Sequence, residues 1–411
     1  MILKILRFFF RLIGWLVLLL LLAFLVIYAV APIYKFNDYQ PFRGDYIYNP
    51  YQNMDSTAWK KGNFQVQSRA WWGITAGRGN SNEAIQTIYR QLGYDIIVTS
   101  DYMRINTFGK RSANYIPTYE HGYGIQKTHQ VCLGSDQVCW LDYPFYQNRN
   151  HKQHIINLLR DDNKLIALAH PRLRSGYTLE EMQYITDYDL IEVLNEIKFS
   201  VGYWDAALSS GHPAYIIAND DAHDIFDPTE VGRICTFINT NSLNASSVLD
   251  ALKSGKAYGA NIAMNPGAEF VQKTLDHQQI PHVNHVRVVN DTLRVGVSRQ
   301  AKLISFIGQN GVVKKTVTDT SAAFYGIMPI DTYIRTEIKF HNGTTFYLNP
   351  VIRTNGQVPT MPAPPQVDHA KTWIQRVISL IIAIFILVLV IRIRKRRRIK
   401  NRIKRRYYYY S

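Results

Sequence analysis

The chain has 411 residues, a length that predicts two or three domains, and its three cysteines are too few for a disulfide scaffold. Its formal net charge of +16 would suit a nucleic-acid-binding protein, but 15 of its 47 Lys and Arg residues lie before residue 35 or after residue 371. The segment between them carries 32 basic and 31 acidic residues and is almost neutral. We therefore expect no nucleic acid as a partner.

Two hydrophobic segments separate the basic ends from the middle of the chain. Residues 12–31 are twenty uncharged, Leu-rich residues, which is long enough to cross a bilayer. Pro32 directly follows a small-residue sequence that resembles a signal-peptidase site, so we expect an uncleaved anchor. The second segment, 372–391, is interrupted by Arg376, a side chain that can extend to the membrane interface. Both segments are predicted to be transmembrane helices.

The basic tails predict the orientation of these helices. Lys and Arg collect on the cytoplasmic side of membrane helices, so tails 1–11 and 392–411 are expected in the cytoplasm. Residues 35–371 would then be extracytoplasmic, in what we expect to be a bacterial inner membrane. The lipid bilayer is thus a predicted partner. The C-terminal tail either binds anionic lipids as well or serves only as a topology signal.

The middle of the chain consists of four segments that differ in composition and hydrophobic pattern. Residues 35–62 are Tyr- and Pro-rich and predict an irregular collar. Residues 63–262 alternate buried strands with amphipathic helices, which predicts a parallel α/β barrel domain. Residues 266–356 form short strands separated by turn signals, typical of a small antiparallel β-sandwich. A Pro-rich linker, 357–371, leads to the second membrane segment.

Polar side chains follow immediately after the predicted barrel strands. These strand-end residues are Asp101, His170, Asn195, Asp221 and His223. Carboxylates and imidazoles at the end of a buried strand are costly unless a partner such as a metal ion satisfies them. In a parallel barrel all such ends face one rim, so we expect these side chains to meet in one pocket.

In their order and spacing, Ser100-Asp101, His170-Pro171 and Asp221-Ala222-His223 resemble motifs of the PHP (polymerase and histidinol phosphatase) phosphoesterases. The resemblance covers residues 63–260. It implies a distorted (βα)7 TIM-type barrel, bound divalent metals and hydrolysis of phosphate esters. The full predicted fold class is α/β, with this PHP-like barrel followed by the β-sandwich and flanked by two transmembrane helices.

The sequence departs from the family's pattern at several metal-binding positions. The His-x-His of the first strand is replaced by Gln65-Val66-Gln67, and the imidazole of a later Thr-Asp-His motif by Tyr102. A Gln amide is a poor replacement for imidazole on zinc or manganese. A Tyr would coordinate only as a phenolate, whose reference pKa is about 10. We therefore expect a reduced metal site.

Five potential ligands survive, and the resemblance implies their roles. The predicted metal ligands are Glu120, His129, His170, Asp221 and His223. Two histidines with one carboxylate can hold a single divalent ion, here zinc, manganese or iron. Asp221 and His223 are also predicted catalytic residues, as general base and phosphate-orienting group. Arg104 and Arg172 either meet the phosphate of the substrate or are solvated surface charges.

Three interpretations of the barrel follow. The first is a membrane-anchored metal-dependent phosphoesterase acting on a phosphate-ester substrate. The second is an inactive pseudoenzyme that serves as a binding or scaffold module, which the loss of the first-strand histidines favours. The third is an unrelated α/β barrel. Separately, Cys132 and Cys139 either form a short disulfide loop or stay reduced.

Overall fold

The computed structural model describes residues 2–75, 77–263 and 269–407. Contacts divide the chain into two compact units, one formed by Phe36–Pro364 and the other by Met1–Lys35 with Pro365–Ser411. The start of the predicted sandwich, 266–268, and the end of the basic tail, 408–411, lie outside the described residues.

Seven helices and seventeen strands are described. The helices are α1 (Ile2–Val30), α2 (Asn82–Gln91), α3 (Arg149–Arg160), α4 (Val201–Ser209), α5 (Ala245–Lys253), α6 (Phe270–Gln278) and α7 (His369–Tyr407). The first nine strands are β1 (Tyr34–Lys35), β2 (Tyr46–Tyr48), β3 (Trp59–Asn63), β4 (Ile96–Ile97), β5 (Thr118–His121), β6 (His129–Ser135), β7 (Asn163–Ala169), β8 (Leu190–Asn195) and β9 (Tyr215–Asn219). The remaining strands are β10 (Ile234–Asn239), β11 (Ala257–Asn261), β12 (Val283–Val289), β13 (Thr292–Gly308), β14 (Val312–Gly326), β15 (Tyr333–Phe340), β16 (Thr345–Thr354) and β17 (Gln366–Val367).

The unit that contains both ends of the chain is built from α1 and α7. Each helix contains a stretch long and apolar enough to cross a membrane, which confirms the two predicted apolar helices. Strand β1 pairs antiparallel with β17 between the two helices. The guanidinium of Arg376 donates a hydrogen bond to the carbonyl of Val30 at 2.8 Å and lies 5.7 Å from the ring centre of Trp373. The charge of Arg376 is thus partnered within this unit.

The larger unit contains two sheets. One has the strand order β12-β13-β15-β16-β11-β10-β3-β4, with β14 added on β13 and β2 on β16; the other has the order β5-β6-β7-β8-β9. Isolated bridges join Val66 to Ala222 and Tyr102 to Glu120. Strands β3 to β9 therefore curl into an incomplete ring. The predicted α/β class is confirmed.

A regular parallel (βα)7 barrel is not confirmed. Strands β3–β4 and β7–β8–β9 pair in parallel as expected, but β5–β6 and β6–β7 pair antiparallel. The segment between β5 and β6 is a short loop, too short for the helical crossover that a parallel pair requires. The site residues therefore reach one region from strands of both directions.

A separate β-sandwich formed by the C-terminal strands is not confirmed. Strand β13 is long and bends: Leu293–Val297 pair with β12, and Ala301–Ile307 pair with β15. Strand β16 then pairs with β11, which pairs with β10 of the ring. The strands of both regions thus belong to one ten-stranded sheet, and a single hydrophobic core includes residues of both.

Helix starts follow the local sequence. Ser81 caps α2 by accepting from the Ala84 amide, and Asn148 caps α3 through a capping box with His151. Thr178 and Glu181 form a capping box, with hydrogen bonds of 3.1 and 2.8 Å, which opens a single 3₁₀ turn. Cys132 and Cys139, left open by the sequence, are free thiols.

Candidate metal centre

Glu120, His129 and His170 form a buried cluster between three strands. Glu120 lies in β5, His129 begins β6, and His170 follows β7, whose Ala169 is paired with His129. Glu120 Oε1 lies 2.5 Å from His129 Nδ1 and 3.4 Å from His170 Nε2. One donor atom from each residue lies within 4.8 Å of the others, a spacing suited to a shared metal ion.

The other two predicted site residues, Asp221 and His223, lie at the edge of this cluster. Asp221 Oδ2 is 4.0 Å from His170 Nε2 and accepts a hydrogen bond of 3.1 Å from the amide of Asn195. His223 Nδ1 lies 2.6 Å from the backbone carbonyl oxygen of Asp221. The structure therefore brings Asp221 to the cluster itself and places the His223 ring next to Asp221.

Gln65 and Gln67, at the positions where the PHP resemblance implies histidines, are both buried. Gln67 Nε2 donates a 2.6 Å hydrogen bond to Glu120 Oε2. The amide thus binds the carboxylate oxygen that is not contacted by His129 or His170. Neither side-chain atom of Gln65 has a hydrogen-bond partner within the described part of the chain. Burial, together with the charges of Glu120 and Asp221, raises the pKa of Tyr102, so its phenol stays protonated. Gln65, Gln67 and Tyr102 thus place neutral side chains beside the cluster, and Gln67 supplies a hydrogen bond to it.

Glu192 is a site residue that sequence reasoning missed. Its carboxylate accepts hydrogen bonds from the backbone N–H of His170 at 2.8 Å, from Asn195 Nδ2 at 3.0 Å and from Asn219 Nδ2 at 2.8 Å. The available signal was a lone glutamate within the apolar strand Leu190–Asn195, where an ionisable side chain is fully buried. Through these bonds β8 fixes the position of His170.

Two other strand-end carboxylates are already satisfied by the protein. Asp101 accepts from the backbone N–H and hydroxyl of Ser68 and from Asn106 Nδ2, at 2.8–2.9 Å. Asp220 accepts from three consecutive backbone N–H groups, those of residues 232–234, at 2.7–2.9 Å. Their lone pairs are occupied, so neither carboxylate joins the cluster.

The buried acids of the site favour a bound cation. Glu120, Asp221 and Glu192 are each at most 4% exposed, and within the described ranges none of them pairs with a Lys or Arg. Burial raises the pKa of Glu192 to about 8; burial and the charge of Glu120 raise the pKa of Asp221 to about 6. Carboxylic acids shift in this way when burial removes them from water.

The two histidines differ in charge. Burial lowers the pKa of His129, so its ring is neutral and its Nδ1–H donates to Glu120. Burial also opposes protonation of His170, but the hydrogen bond to Glu120 and the charges of Asp221, Glu120 and Glu192 raise its pKa to about 9. The same two histidines hold the pKa of Glu120 well below its usual range despite burial. Without a metal, a proton on His170 supplies the positive charge that the cluster requires.

Unpartnered atoms show that the cluster fits a metal ion. His129 Nε2, His170 Nδ1 and Asp221 Oδ1 are buried and have no hydrogen-bond partner among the residues that the structure describes. Buried polar atoms are almost always paired, and His129 Nε2 and Asp221 Oδ1 each carry a lone pair that a metal ion could accept. Imidazole nitrogen and carboxylate oxygen suit zinc, manganese and iron.

Arg104 and Arg172, which the sequence leaves as either phosphate-binding or surface charges, are both exposed. Arg172 donates a weak hydrogen bond of 3.4 Å to the carbonyl of Phe199, and neither Arg172 nor Arg104 forms an ion pair with a described residue of the cluster. Arg104 lines an open cleft of about 220 Å³ with Ser68, Asp101 and Asn106. The surface interpretation of these two charges therefore matches their position.

Comparisons with known proteins found limited similarity. No protein-family model matches the chain, and no curated protein matches its sequence. Among solved structures, it is similar to a two-domain protein from Bacteroides vulgatus ATCC 8482 that contains a predicted PHP-like metal-dependent phosphoesterase. The identity is 12%, the match covers 77% of this chain and 99% of that one, and the TM-score is 0.39. A superposition this loose does not establish a shared fold.

Proposed function

We propose that the chain is a membrane-anchored, metal-dependent phosphoesterase with one divalent ion held by Glu120, His129 and His170. The observation that carries this proposal is the buried cluster of carboxylates and imidazoles, in which one donor atom from each of these three residues lies within 4.8 Å of the others. The order of the PHP-like motifs along the sequence supports a phosphate ester as the substrate. Zinc, manganese and iron all suit the donor set.

Other residues of the chain would supply the remaining catalytic and positioning roles. When bound, a divalent ion supplies Lewis-acid polarisation of a phosphoryl oxygen and lowers the pKa of water. Asp221 would act as the general base. Burial and the charge of Glu120 raise the pKa of its carboxyl group to about 6, near the neutral range in which a general base is most effective. His223, whose ring contacts the carbonyl of Asp221, would orient the phosphate. Glu192 and Asn195 hold His170 and Asp221 in position.

The proposed location follows from the two apolar helices. Both tails would be cytoplasmic, and residues 35–371 would lie outside the cytoplasm of a bacterial cell, since Lys and Arg collect on the cytoplasmic side. The extracytoplasmic segment would comprise the collar 35–62, the barrel 63–262, the strand region 266–356 and the linker 357–371. The basic tail 392–411 would contact anionic lipids.

Metal content of the purified full-length chain in detergent tests this proposal. We expect about one zinc, manganese or iron per chain by elemental analysis, and loss of that metal in the His129→Ala/His170→Ala variant. The His285→Ala/His341→Ala variant is the matched control, because it removes two histidines from strands and turns of the C-terminal region. It should keep the metal.

Hydrolysis is measured on the same preparations with p-nitrophenyl phosphate. The wild-type chain should release p-nitrophenol, and chelation or the loss of His129 and His170 should abolish release. A chain that holds no metal after reconstitution with excess zinc, manganese and iron would overturn the proposal. The barrel would then be a binding module, as in the pseudoenzyme interpretation.

A further inference from the structure

Large apolar side chains are exposed on three loops that follow β3, β5 and β6. We name this surface the aromatic rim, and its members are Trp72, Ile74, Ile125, Trp140, Phe145 and Tyr146. Trp72 is 89% exposed and Ile74 is 75% exposed, values that are unfavourable for such side chains in water. A contiguous exposed apolar surface of this kind marks an interaction site.

The three loops contact one another, so the rim is one surface. The ring of Trp71 packs edge-on against Trp140 with a centroid distance of 6.2 Å, which joins the first loop to the third. The hydroxyl of Tyr123 donates to the carbonyl of Trp140 at 3.5 Å, and the Ile125 amide donates to the carbonyl of Pro144 at 2.9 Å. These bonds join the second loop to the third.

Tyr102 connects the rim to the metal centre. Its ring centroid lies 5.5 Å from that of His129, and its backbone forms a bridge with Glu120. On the other side, its carbonyl accepts a 2.8 Å hydrogen bond from Trp71 Nε1. Lys127 Nζ lies 5.5 Å from the centre of the Tyr102 ring. A molecule bound at the rim is therefore next to the proposed catalytic cluster.

The loops around the rim are basic. They comprise residues 68–75, 102–116, 122–128, 136–148 and 171–176, and Asp136 is the one exposed acid on these described residues. The basic side chains on the same loops are Arg69, Arg104, Lys110, Arg111, Lys127, Arg172 and Arg174. The rim thus combines exposed Trp and Ile side chains with a surplus of positive charge.

We propose that the aromatic rim enters the headgroup layer of an anionic bilayer and that the substrate is a phosphate ester carried by a lipid. This inference rests on the proposed phosphoesterase function. Trp and Tyr favour the membrane interface, Ile favours the acyl chains, and Lys and Arg pair with anionic headgroups. Sugar hydroxyls, by contrast, would find no hydrogen-bond partner on Ile74 or Ile125.

The reaction is a hydrolysis. The oxygen of water bonds to phosphorus while the bond between phosphorus and the lipid oxygen breaks. One proton of that water goes to the departing lipid oxygen, so the products are a lipid alcohol and phosphate. Water is the second substrate, and no oxidant is needed.

Insertion of the rim is tested by fluorescence, independently of hydrolysis. The full-length chain with Cys139→Ser and Ile74→Cys is labelled with an environment-sensitive dye and placed in nanodiscs of phosphatidylcholine and phosphatidylglycerol. We expect a blue-shifted emission and quenching by a nitroxide on the lipid acyl chain. The control label at Val313→Cys, on exposed strand β14, should stay unquenched. Equal, weak quenching at both positions would overturn the proposal even if the chain is an active phosphatase.

Substrate choice is tested with Trp72→Asp/Ile74→Asp. The ratio of hydrolysis of phosphatidic acid in nanodiscs to hydrolysis of soluble p-nitrophenyl phosphate should fall about tenfold or more, because two interfacial anchors become charged. Val312→Asp/Val313→Asp on β14 should leave the ratio unchanged. An unchanged ratio in the rim variant would contradict a lipid substrate, whereas the absence of both activities in the wild type would contradict the phosphoesterase function itself.

Discussion

The carboxylate of Glu192 accepts hydrogen bonds from three groups, two of which hold parts of the proposed metal centre. The backbone N–H of His170 donates to it directly, and Asn195 bridges it to Asp221. His170 has a φ of +30°, a backbone conformation that is strained for a residue with a side chain. The bond from its N–H to Glu192 helps to maintain that conformation.

Glu192→Gln tests this positioning role. The side chain of Gln has one acceptor oxygen and one NH₂ group in place of two acceptor oxygens. The NH₂ group would face an N–H donor that now bonds to Glu192, so His170 should lose its fixed position. We expect metal affinity to fall about 10–100-fold, the usual effect of removing a partner that orients a ligand. Metal affinity is measured by titration with a competing chelator.

The matched control for this variant is Glu181→Gln. Glu181 is also a buried glutamate and accepts from Lys152 Nζ and the backbone N–H of Thr178, but it has no bond to the cluster. Both variants should lose stability, by about 1–3 kcal/mol, since each leaves buried donors poorly paired. Only Glu192→Gln should release metal. Equal metal affinity in the two variants would rule out a positioning role for Glu192.

At the scale of elements, the close packing of β11 on β8 and β9 depends on Gly259. A Cβ at this position would lie 2.6 Å from Ile216 Cδ1, 3.1 Å from the Cβ of Ala218 and 3.2 Å from Leu194 Cδ1. Real Cβ atoms essentially never lie within 3.0 Å of another atom, so a side chain at this position would displace the end of the Ile216 side chain and crowd Ala218 and Leu194.

Gly259→Ala should therefore destabilise the protein by about 1–3 kcal/mol, the cost of overpacking a filled core. Gly202→Ala is the matched control: it lies in α4 and its added Cβ would meet nothing within 4 Å. That change should stabilise by about 0.5–1 kcal/mol, because alanine favours the helix. Both are measured by chemical denaturation. A neutral Gly259→Ala would contradict the packing described for β11.

The individual strands differ in how well the sequence predicts them. Apolar runs predicted β4, β7, β8 and β9, and all four strands are present. Strands β5 and β6 were not predicted by pattern, because every residue in them is buried and the polar residues of Tyr119-Glu120-His121 interrupt any apolar run. Glu120 and His129 were found through motif resemblance alone. The antiparallel pairing of β5 and β6 with their neighbours depends on residues distant in sequence, which local sequence does not encode.

At the scale of the whole molecule, the ring and the C-terminal strands share a buried ion pair as well as a sheet. Arg335 in β15 donates to both carboxylate oxygens of Asp205 in α4, at 2.7 and 2.8 Å, and the Tyr333 hydroxyl donates to Asp205 at 3.2 Å. Arg335 is 2% exposed, so this charge pair is largely removed from water. The two regions should therefore unfold together.

Arg335→Met tests that coupling. Removing one partner leaves the Asp205 carboxylate buried and uncompensated, which should cost about 3–5 kcal/mol, whereas Asp205→Leu/Arg335→Met removes both charges and should cost much less. In the single variant, loss of bound metal and loss of β-structure, followed by circular dichroism, should shift to the same lower denaturant concentration. Coincident transitions are the mark of one cooperative unit. If metal release kept its wild-type midpoint while the C-terminal strands melted early, the ring would be stable without them, and the continuous sheet from β3 to β12 would not act as a single folding unit.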